Sequence, residues 1–587
     1  MESRRRSSRR RKRIRIMNAV RFIVALLVAG GLIGGAVLLL FPGGKPGVTT
    51  TQGPTTKISP TGTPGLPETL TAQADASAKP SNFGFSTNIM VNGNRVNQFE
   101  RADKINFPNA SSYTSLEGVI TFRGNNYRST ASYGTVSVSK AQLTKVWEKT
   151  NGALKGDAGV WTGVGWTGQP LMVRWSDEMK TIMNLYPEKK TKKDLVEVIL
   201  PTLDGHIYFF DLEDGSKTRA PVNLGVPFKG TASIDPRGYP ILYAGQGDTV
   251  NGGSMQYWIV SLIDGKVLYK MPGKDPFSYR TNWTAFDSSA LIDANSDTLV
   301  EPGENGVLYT IKLNTKFDLK AGTISIDPEA PVKYRYKANG DGITANDRWW
   351  GTENSAAGWR NYIFYTDNGG YMQCVDLNTM KLMWAQDVTD DSDPSIALEE
   401  SVKDQTIYLY TACQVDKQKN AQTDGRAYIR KVNGLTGKIE WEKDYPCIDN
   451  KHTAGGVLAS PVLGREGSDI GDLVIYPVGN LRTGGSELIA FDKNTGEEKW
   501  VHKLKDKSGK NEFYWGSSPV AVYDAQGKSY IIQCVQGKML LIEGATGDLL
   551  DTYELPDKAS VDASPSVFGN TIVIGTRSQH IYGIRID

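Results

Sequence analysis

The chain has 587 residues, 39% of them hydrophobic, which suffices to bury the core of one large β-domain or of two to three average domains. Its nominal charge of +3 is made at the N-terminus: residues 1–21 hold ten Arg or Lys against one acid, Glu2, and the rest of the chain carries 57 basic against 63 acidic residues. A mildly acidic body is a poor electrostatic partner for nucleic acid, so the basic run needs another cause.

The neighbouring segment supplies that cause. Residues 22–41 are a 20-residue stretch without a charge, which as a helix spans roughly 30 Å of hydrocarbon. Cytoplasmic flanks collect Lys and Arg. Residues 1–21 are therefore expected to form a cytoplasmic tail, residues 22–41 a transmembrane signal anchor in the cell membrane, and the body to be extracytoplasmic. The stretch is long for a cleaved signal peptide and ends in Leu-Phe-Pro-Gly-Gly with no small-x-small site. Residues 42–80 are rich in Thr, Pro, Gly, Ser and Ala with few large apolar side chains, which predicts a disordered stalk. Residues 81–142 read as an irregular segment packed on the domain C-terminal to it.

After residue 142 one β-rich unit recurs to the end, and such a repeat governs the fold. Its clearest copies are Ile489-Ala-Phe-Asp-Lys-Asn-Thr-Gly-Glu-Glu-Lys-Trp500 and Val432-Asn-Gly-Leu-Thr-Gly-Lys-Ile-Glu-Trp441, with a weaker one ending at Trp384. The Thr-Gly pair supplies the positive-φ residue of a tight hairpin between two alternating strands. The tryptophans then fall at one place in the fourth strand, where a ring can cover the seam between sheets. Seven full units begin near residues 161, 230, 283, 355, 398, 455 and 513, while residues 560–587 hold only three strands. Residues 143–149 read like the missing fourth. Pairing the two chain ends removes exposed edges, so residues 143–587 are predicted to be an all-β, eight-bladed β-propeller closed by N- and C-terminal strands.

The Ala-Phe-Asp-x-x-Thr-Gly-x-x-x-Trp pattern with Ser-Pro strand starts resembles the pyrroloquinoline-quinone-like propeller repeat family, and Phe122-Arg123-Gly124-Asn125 resembles an opening found before the first strand of such propellers. The family includes quinone-dependent dehydrogenases and non-catalytic outer-membrane assembly lipoproteins, so the resemblance implies the fold and leaves the function open. Its enzymatic branch implies a vicinal Cys-Cys disulfide, a calcium ion and an Asp base around the quinone. No two of Cys374, Cys413, Cys447 and Cys534 are adjacent, and the quinone is not expected here.

Three constellations stand out. Asp293, Asn295, Asp297, Leu299 and Glu301 fall at calcium-loop positions 1, 3, 5, 7 and 9, with Glu304 at position 12, which predicts a structural Ca²⁺ site. Thr298 departs from the glycine usual at such a turn. Second, aromatic residues recur before first strands, at Trp166, Trp283, Trp349, Trp350 and Trp515, with Arg280, Asp287, Arg348, Glu353 and Asp562 as polar companions. Connections of this class gather around one end of the central channel, and rings plus a few oriented polar groups make a recognition face. Third, Cys413 and Cys447 follow the second and fourth strands of one blade, and a disulfide is expected between them if Pro446-Cys447 folds back out of the sheet. Histidines at 206, 452, 502 and 580 show no metal-ligand spacing.

These residues predict a membrane-anchored binding or scaffolding module for an envelope protein, peptide or glycan, without catalytic residues. The alternative is a propeller enzyme, either a quinone-dependent dehydrogenase or a carbohydrate-cleaving enzyme using Asp287, Glu353 or Asp562. A sensor is disfavoured, because a tail of 21 residues is too short to fold as an output domain.

Overall fold

The computed structural model describes residues 65–338, 346–449, 454–504 and 516–587. The basic tail, the apolar run 22–41 and residues 42–64 of the expected stalk lie outside these. Among the described residues no helix is long and apolar enough to cross a membrane.

Eight four-stranded antiparallel sheets form the blades of a propeller. Blade 1 runs from strand Leu171–Arg174 to Val222–Asn223, blade 2 from Ser233–Ile234 to Val267–Pro272, blade 3 from Leu291–Asp293 to Val332–Lys337, and blade 4 from Ala357–Trp359 to Lys381–Asp387. Blade 5 runs from Ala397–Ser401 to Ile439–Cys447, blade 6 from Val462–Leu463 to Glu498–Leu504, and blade 7 from Val520–Tyr523 to Leu549–Glu554. Blade 8 takes three strands from the C-terminus, ending at His580–Ile586, and its fourth from Leu143–Thr150, paired from Ile586↔Leu143 to His580↔Thr150. The closure expected from residues 143–149 is therefore present.

Burial explains the strand sequences. Second strands such as Leu473–Val478 and Ser529–Val535 are buried at every residue, because both faces of each sheet pack on neighbouring blades. Outer strands such as Leu549–Glu554 face solvent on one side and are largely exposed. The Thr-Gly…Trp motif joins adjacent blades. Trp384 donates its indole N–H to Gly434 O of blade 5, and Trp441 to Lys493 O of blade 6, each at 2.9 Å. The turn glycines Gly437 and Gly496 have φ of 73° and 70°, and a Cβ on them would stand 2.7 and 2.8 Å from those rings. Only glycine meets both demands.

The Ser-Pro starts have a second purpose. One buried hydroxyl residue per blade forms a ring around the channel. Backbone N–H groups donate to the next hydroxyl from Ser289 to Ser355, Ser355 to Ser395, Ser395 to Ser460, Ser460 to Ser518, and Ser518 to Ser564, at 2.8–3.1 Å. Ser564 N–H bonds Thr167 O, the Thr167 and Thr231 hydroxyls meet at 2.9 Å, and the Ser289 hydroxyl reaches Ala232 O.

The segment 117–133, inside the irregular N-terminal region, plugs the channel on one side of this ring and touches every blade. Its ends pair with blade 1 through Glu117–Val119 and with blade 8 through Ser132–Tyr133. Ile234 N–H bonds Ile120 O in blade 2, Gly358 N–H bonds Asn126 O in blade 4, and Leu398 N–H bonds Tyr127 O in blade 5. The Arg123 guanidinium donates to Pro461 O and Pro519 O of blades 6 and 7, each at 2.6 Å. Arg128 reaches Ser289 O of blade 3. A Pro carbonyl before a strand has no ladder partner of its own on this side, which suits it to receive an arginine.

Two expectations are corrected. Residues 65–80, read as stalk, pack on blades 4 and 5: Leu66, Ala72 and Ala78 are buried in one apolar cluster with Trp359, Tyr362 and Trp384, and Gln73 N–H and Asp75 N–H bond Leu435 O and Thr436 O. Short apolar residues spaced along a polar segment sufficed to dock it. The Cys413–Cys447 disulfide is also absent, and all four cysteines are buried thiols. Pro446 and Cys447 do not fold back but stay in the outer strand, paired with Arg426 and Gly425, so a whole strand separates Cys447 from the strand that precedes Cys413.

Candidate functional site

The ring of hydroxyls fixes the register of the connections above it, on the side away from the plug. Two residues before the ring members stand Lys229 on blade 2, Asp287 on blade 3, Glu353 on blade 4, Asp393 on blade 5 and Asp562 on blade 8, with Gly165, Leu458 and Gly516 on the others. Three neighbouring blades thus present acids to one side of the funnel. Glu304, from the turn after strand Thr298–Pro302 of blade 3, joins them.

Asp287, Glu304 and Glu353 bring carboxylate oxygens within 4.8 Å of one another. Asp287 and Glu304 are fully buried, and Glu353 is partly open. The ammonium of Lys229 contacts Asp287 and lies 3.9 Å from Glu304. Burial disfavours its charge, but Asp287, Glu304 and Glu353 outweigh that and raise its pKa, so Lys229 stays a cation. Burial raises the pKa of Asp287, with Lys229 opposing and Glu353 adding, and raises Glu304 further with help from both acids. Arg280 donates to Glu304 through its main-chain O at 3.3 Å and its carboxylate at 3.4 Å.

Next to this trio lie Asp391 and Asp393, in the connection into blade 5. Burial raises both, and the neighbouring acids Asp393 and Glu353, respectively, raise them again. Gln414 donates to Asp393 Oδ2 at 3.0 Å and Asn368 to Glu353 Oε1 at 2.9 Å. Half-buried rings stand at the rim. Trp283 has the Lys229 ammonium 6.0 Å from its ring centre, and Trp349 has Arg348 at 4.3 Å and Lys417 at 6.0 Å. Arg348 also pairs with Asp416 at 2.9 Å.

Other expected residues fall elsewhere. Trp350 is in the core, 4.9 Å from Tyr279 and 5.8 Å from Tyr336 between ring centres. Trp166 is half-buried beside the ring residue Thr167 on blade 1, Asp562 pairs with Arg577 at 3.6 Å, and Trp515 lies outside the described residues. The six calcium-loop positions do not converge. Asp293 accepts from Ser296 N–H and hydroxyl, Asp297 pairs with Arg237 at 2.7 Å and accepts from Thr315 N–H, and Asn295 is exposed. Leu299 and Glu301 are buried inside the next strand, and Glu304 lies beyond its far end, because the loop positions continue into an extended strand. Sequence reasoning missed Lys229, Asp391 and Asp393. Counting back from the Ser or Thr of each strand start finds Lys229 and Asp393.

Residues 370–586 match the family model described as outer membrane protein assembly factor BamB. The stretch from blade 4 to the end of blade 8 is therefore similar to pyrroloquinoline-quinone-like propeller repeats. Among solved structures, this propeller is similar to BamB from Moraxella catarrhalis, with 14% identity, 70% of this chain and 96% of that one covered, and a TM-score of 0.41. It is similar also to the quinohemoprotein alcohol dehydrogenase ADHIIG from Pseudomonas putida HK5, with 10% identity, 80% of each chain covered and a TM-score of 0.41. Likenesses this distant carry no functional argument. No curated protein matches the chain. The four thiols sit buried in blades 4, 5 and 7, none beside another in sequence, and the Lys229 ammonium lies against Asp287 of the one carboxylate trio among the described residues tight enough for a metal ion.

Proposed function

We propose that this PQQ-like propeller is a scaffold of the cell envelope that holds a protein partner on the funnel face of its blades. The observation that carries this reading is the grouping of side chains on the side of the hydroxyl ring away from residues 117–133: half-buried Trp283 and Trp349 stand beside Lys229, Arg348 and Lys417, and Asp287, Glu304 and Glu353 are drawn together near them. Aromatic rings with a few oriented charged groups make a recognition surface. The match to an assembly factor over residues 370–586 supports a protein as the ligand. Residues 1–41 tether the propeller, with the N-terminus cytoplasmic and the body outside.

Carbohydrate cleavage is the weaker reading. It needs two carboxyls facing each other across an open gap of about 5–9.5 Å. Here Asp287 and Glu353 lie within 4.8 Å of each other and of Glu304 with no open gap between them, and Lys229 lies against Asp287.

The test is capture from envelope extract by the full-length protein, read by mass spectrometry, beside a Trp283→Ala/Trp349→Ala variant of unchanged melting temperature. A partner retained by the wild type and lost by the variant is expected. Partners captured equally by both would remove the funnel as the binding face. Protease added to intact cells should digest the propeller and spare residues 1–21.

A further inference from the structure

The funnel holds two carboxylate trios that share Glu353. In the deeper one, the chain supplies its own cation. Lys229 lies against Asp287, near Glu304, and under the rim of Trp283. The second trio is Glu353, Asp391 and Asp393, at the junction of blades 4 and 5. No basic side chain among the described residues forms a salt bridge with any of the three: Lys229 attracts Glu353 and Asp393 through space but lies against Asp287, Arg348 is committed to Asp416, and Lys417 donates to Gly369 O at 2.6 Å. Asp391 is 5% exposed. Its Oδ1, like Oδ1 of Asp393, is buried without a hydrogen-bond partner. A neutral amide holds one further oxygen of Asp393, from Gln414, and one of Glu353, from Asn368.

Buried carboxylates with idle oxygens and like-charged neighbours are costly unless a cation joins them. The same funnel answers this need one blade away with an ammonium. A divalent metal suits the second trio less. Calcium takes six to eight oxygens at about 2.3–2.6 Å, and among the described residues only the deeper trio brings three carboxylates within 4.8 Å. An ammonium needs fewer contacts and tolerates wider spacing, because its three donors reach acceptors about 2.7–2.9 Å away.

We propose that Glu353, Asp391 and Asp393 form a pocket for a cationic side chain of the bound partner, a lysine ammonium, in the role that Lys229 fills for the neighbouring trio. The pocket rests on the scaffold reading and gives it a chemical selectivity: a partner would enter lysine first, between Trp349 and the acids.

The full-length protein in detergent is titrated by calorimetry with acetyl-tetralysine amide, with the same peptide acetylated on its side chains, and with calcium chloride. Saturable binding of the charged peptide that survives about 0.3 M salt is expected, since a buried pair is screened little. The acetylated peptide should not bind. Asp391→Asn/Asp393→Asn should weaken binding at least about ten-fold while leaving the melting temperature equal or higher, because it removes like charges. Glu353→Gln gives the same reading should the double variant fold poorly. Equal affinity of wild type and variants, no binding of the charged peptide, or calcium that saturates and displaces it would each overturn the pocket. Envelope partners that wild type and double variant capture alike, but the Trp283/Trp349 variant loses, would leave the scaffold standing and remove only this pocket.

Discussion

The ammonium of Lys229 lies against the carboxylate of Asp287 across the junction of blades 2 and 3, at the floor of the funnel. Removing it as Lys229→Met would leave Asp287, Glu304 and Glu353 facing one another with no lysine. Breaking a buried pair from one side costs about 3–5 kcal/mol. The pH dependence gives a second readout. Asp287 and Glu304 have pKa values raised above their ordinary range, so on acidification the folded state binds protons before the unfolded state does. Stability of the variant should therefore recover as pH falls from neutrality toward the ordinary carboxylate range. Melting curves across pH 5–8 check this, and a loss independent of pH would count against the charge argument.

Asp367 offers a cleaner titration. Burial is the largest influence on it and pushes its pKa up to about 7, against hydrogen bonds from Tyr336 and from Tyr371 N–H that lower it. An acid raised in the folded state adds stability as pH falls through its folded pKa toward its unfolded one, here from about 7 to 3.8. Asp367→Asn should lose that gain. The melting temperature of the wild type relative to the variant should rise between pH 8 and pH 5, and a constant difference would show that Asp367 does not titrate there.

Arg123 links blades 6 and 7 from inside the channel through Pro461 O and Pro519 O. Arg123→Ala removes two charge-assisted bonds and strands two buried carbonyls, a loss of about 3 kcal/mol. N-terminal truncations should grade in the same way. A chain beginning at residue 65 should melt like the full-length protein. One beginning at 81 should melt somewhat lower, having exposed the surface under Leu66, Ala72 and Ala78, and one beginning at 152 should not fold, having lost both plug and closing strand. Equal melting of the chains starting at 65 and 152 would refute this order.

The strands and the ring closure were legible because the Thr-Gly…Trp unit encodes local and inter-blade contacts at once: Trp441 needs the Gly496 turn of the next blade, so the motif recurs with the blade. Asp287 and Glu353 were legible because aromatic neighbours mark their connections. Lys229, Asp391 and Asp393 carry no such mark, and their meaning comes from blades distant in sequence. Trp350 was misplaced because it follows Trp349 in a 3-10 turn, Arg348–Trp350, where adjacent side chains point apart. Glu304 was assigned by loop spacing, but its true neighbours come from blades 2 and 4.

The cysteines provide the last prediction. An oxidising space would favour a bond between Cys413 and Cys447, yet both are buried, and burial pushes both thiols up to about 12. Cys413 Sγ accepts from Tyr428 N–H at 3.4 Å, and Cys447 is held in register opposite Gly425. Strand Gly425–Asn433 lies between the strand leading to Cys413 and the strand ending at Cys447. The two thiols are near enough for Cys413 to add to the rise of Cys447, but they stand at this strand as separate thiols, and a bond would require both strand ends to shift. The native protein should therefore resist alkylation at pH 8. After unfolding without reductant, all four cysteines should label at once. If mass mapping finds Cys413 and Cys447 protected until reductant is added, the outer strand of blade 5 leaves its register and the disulfide forms after all.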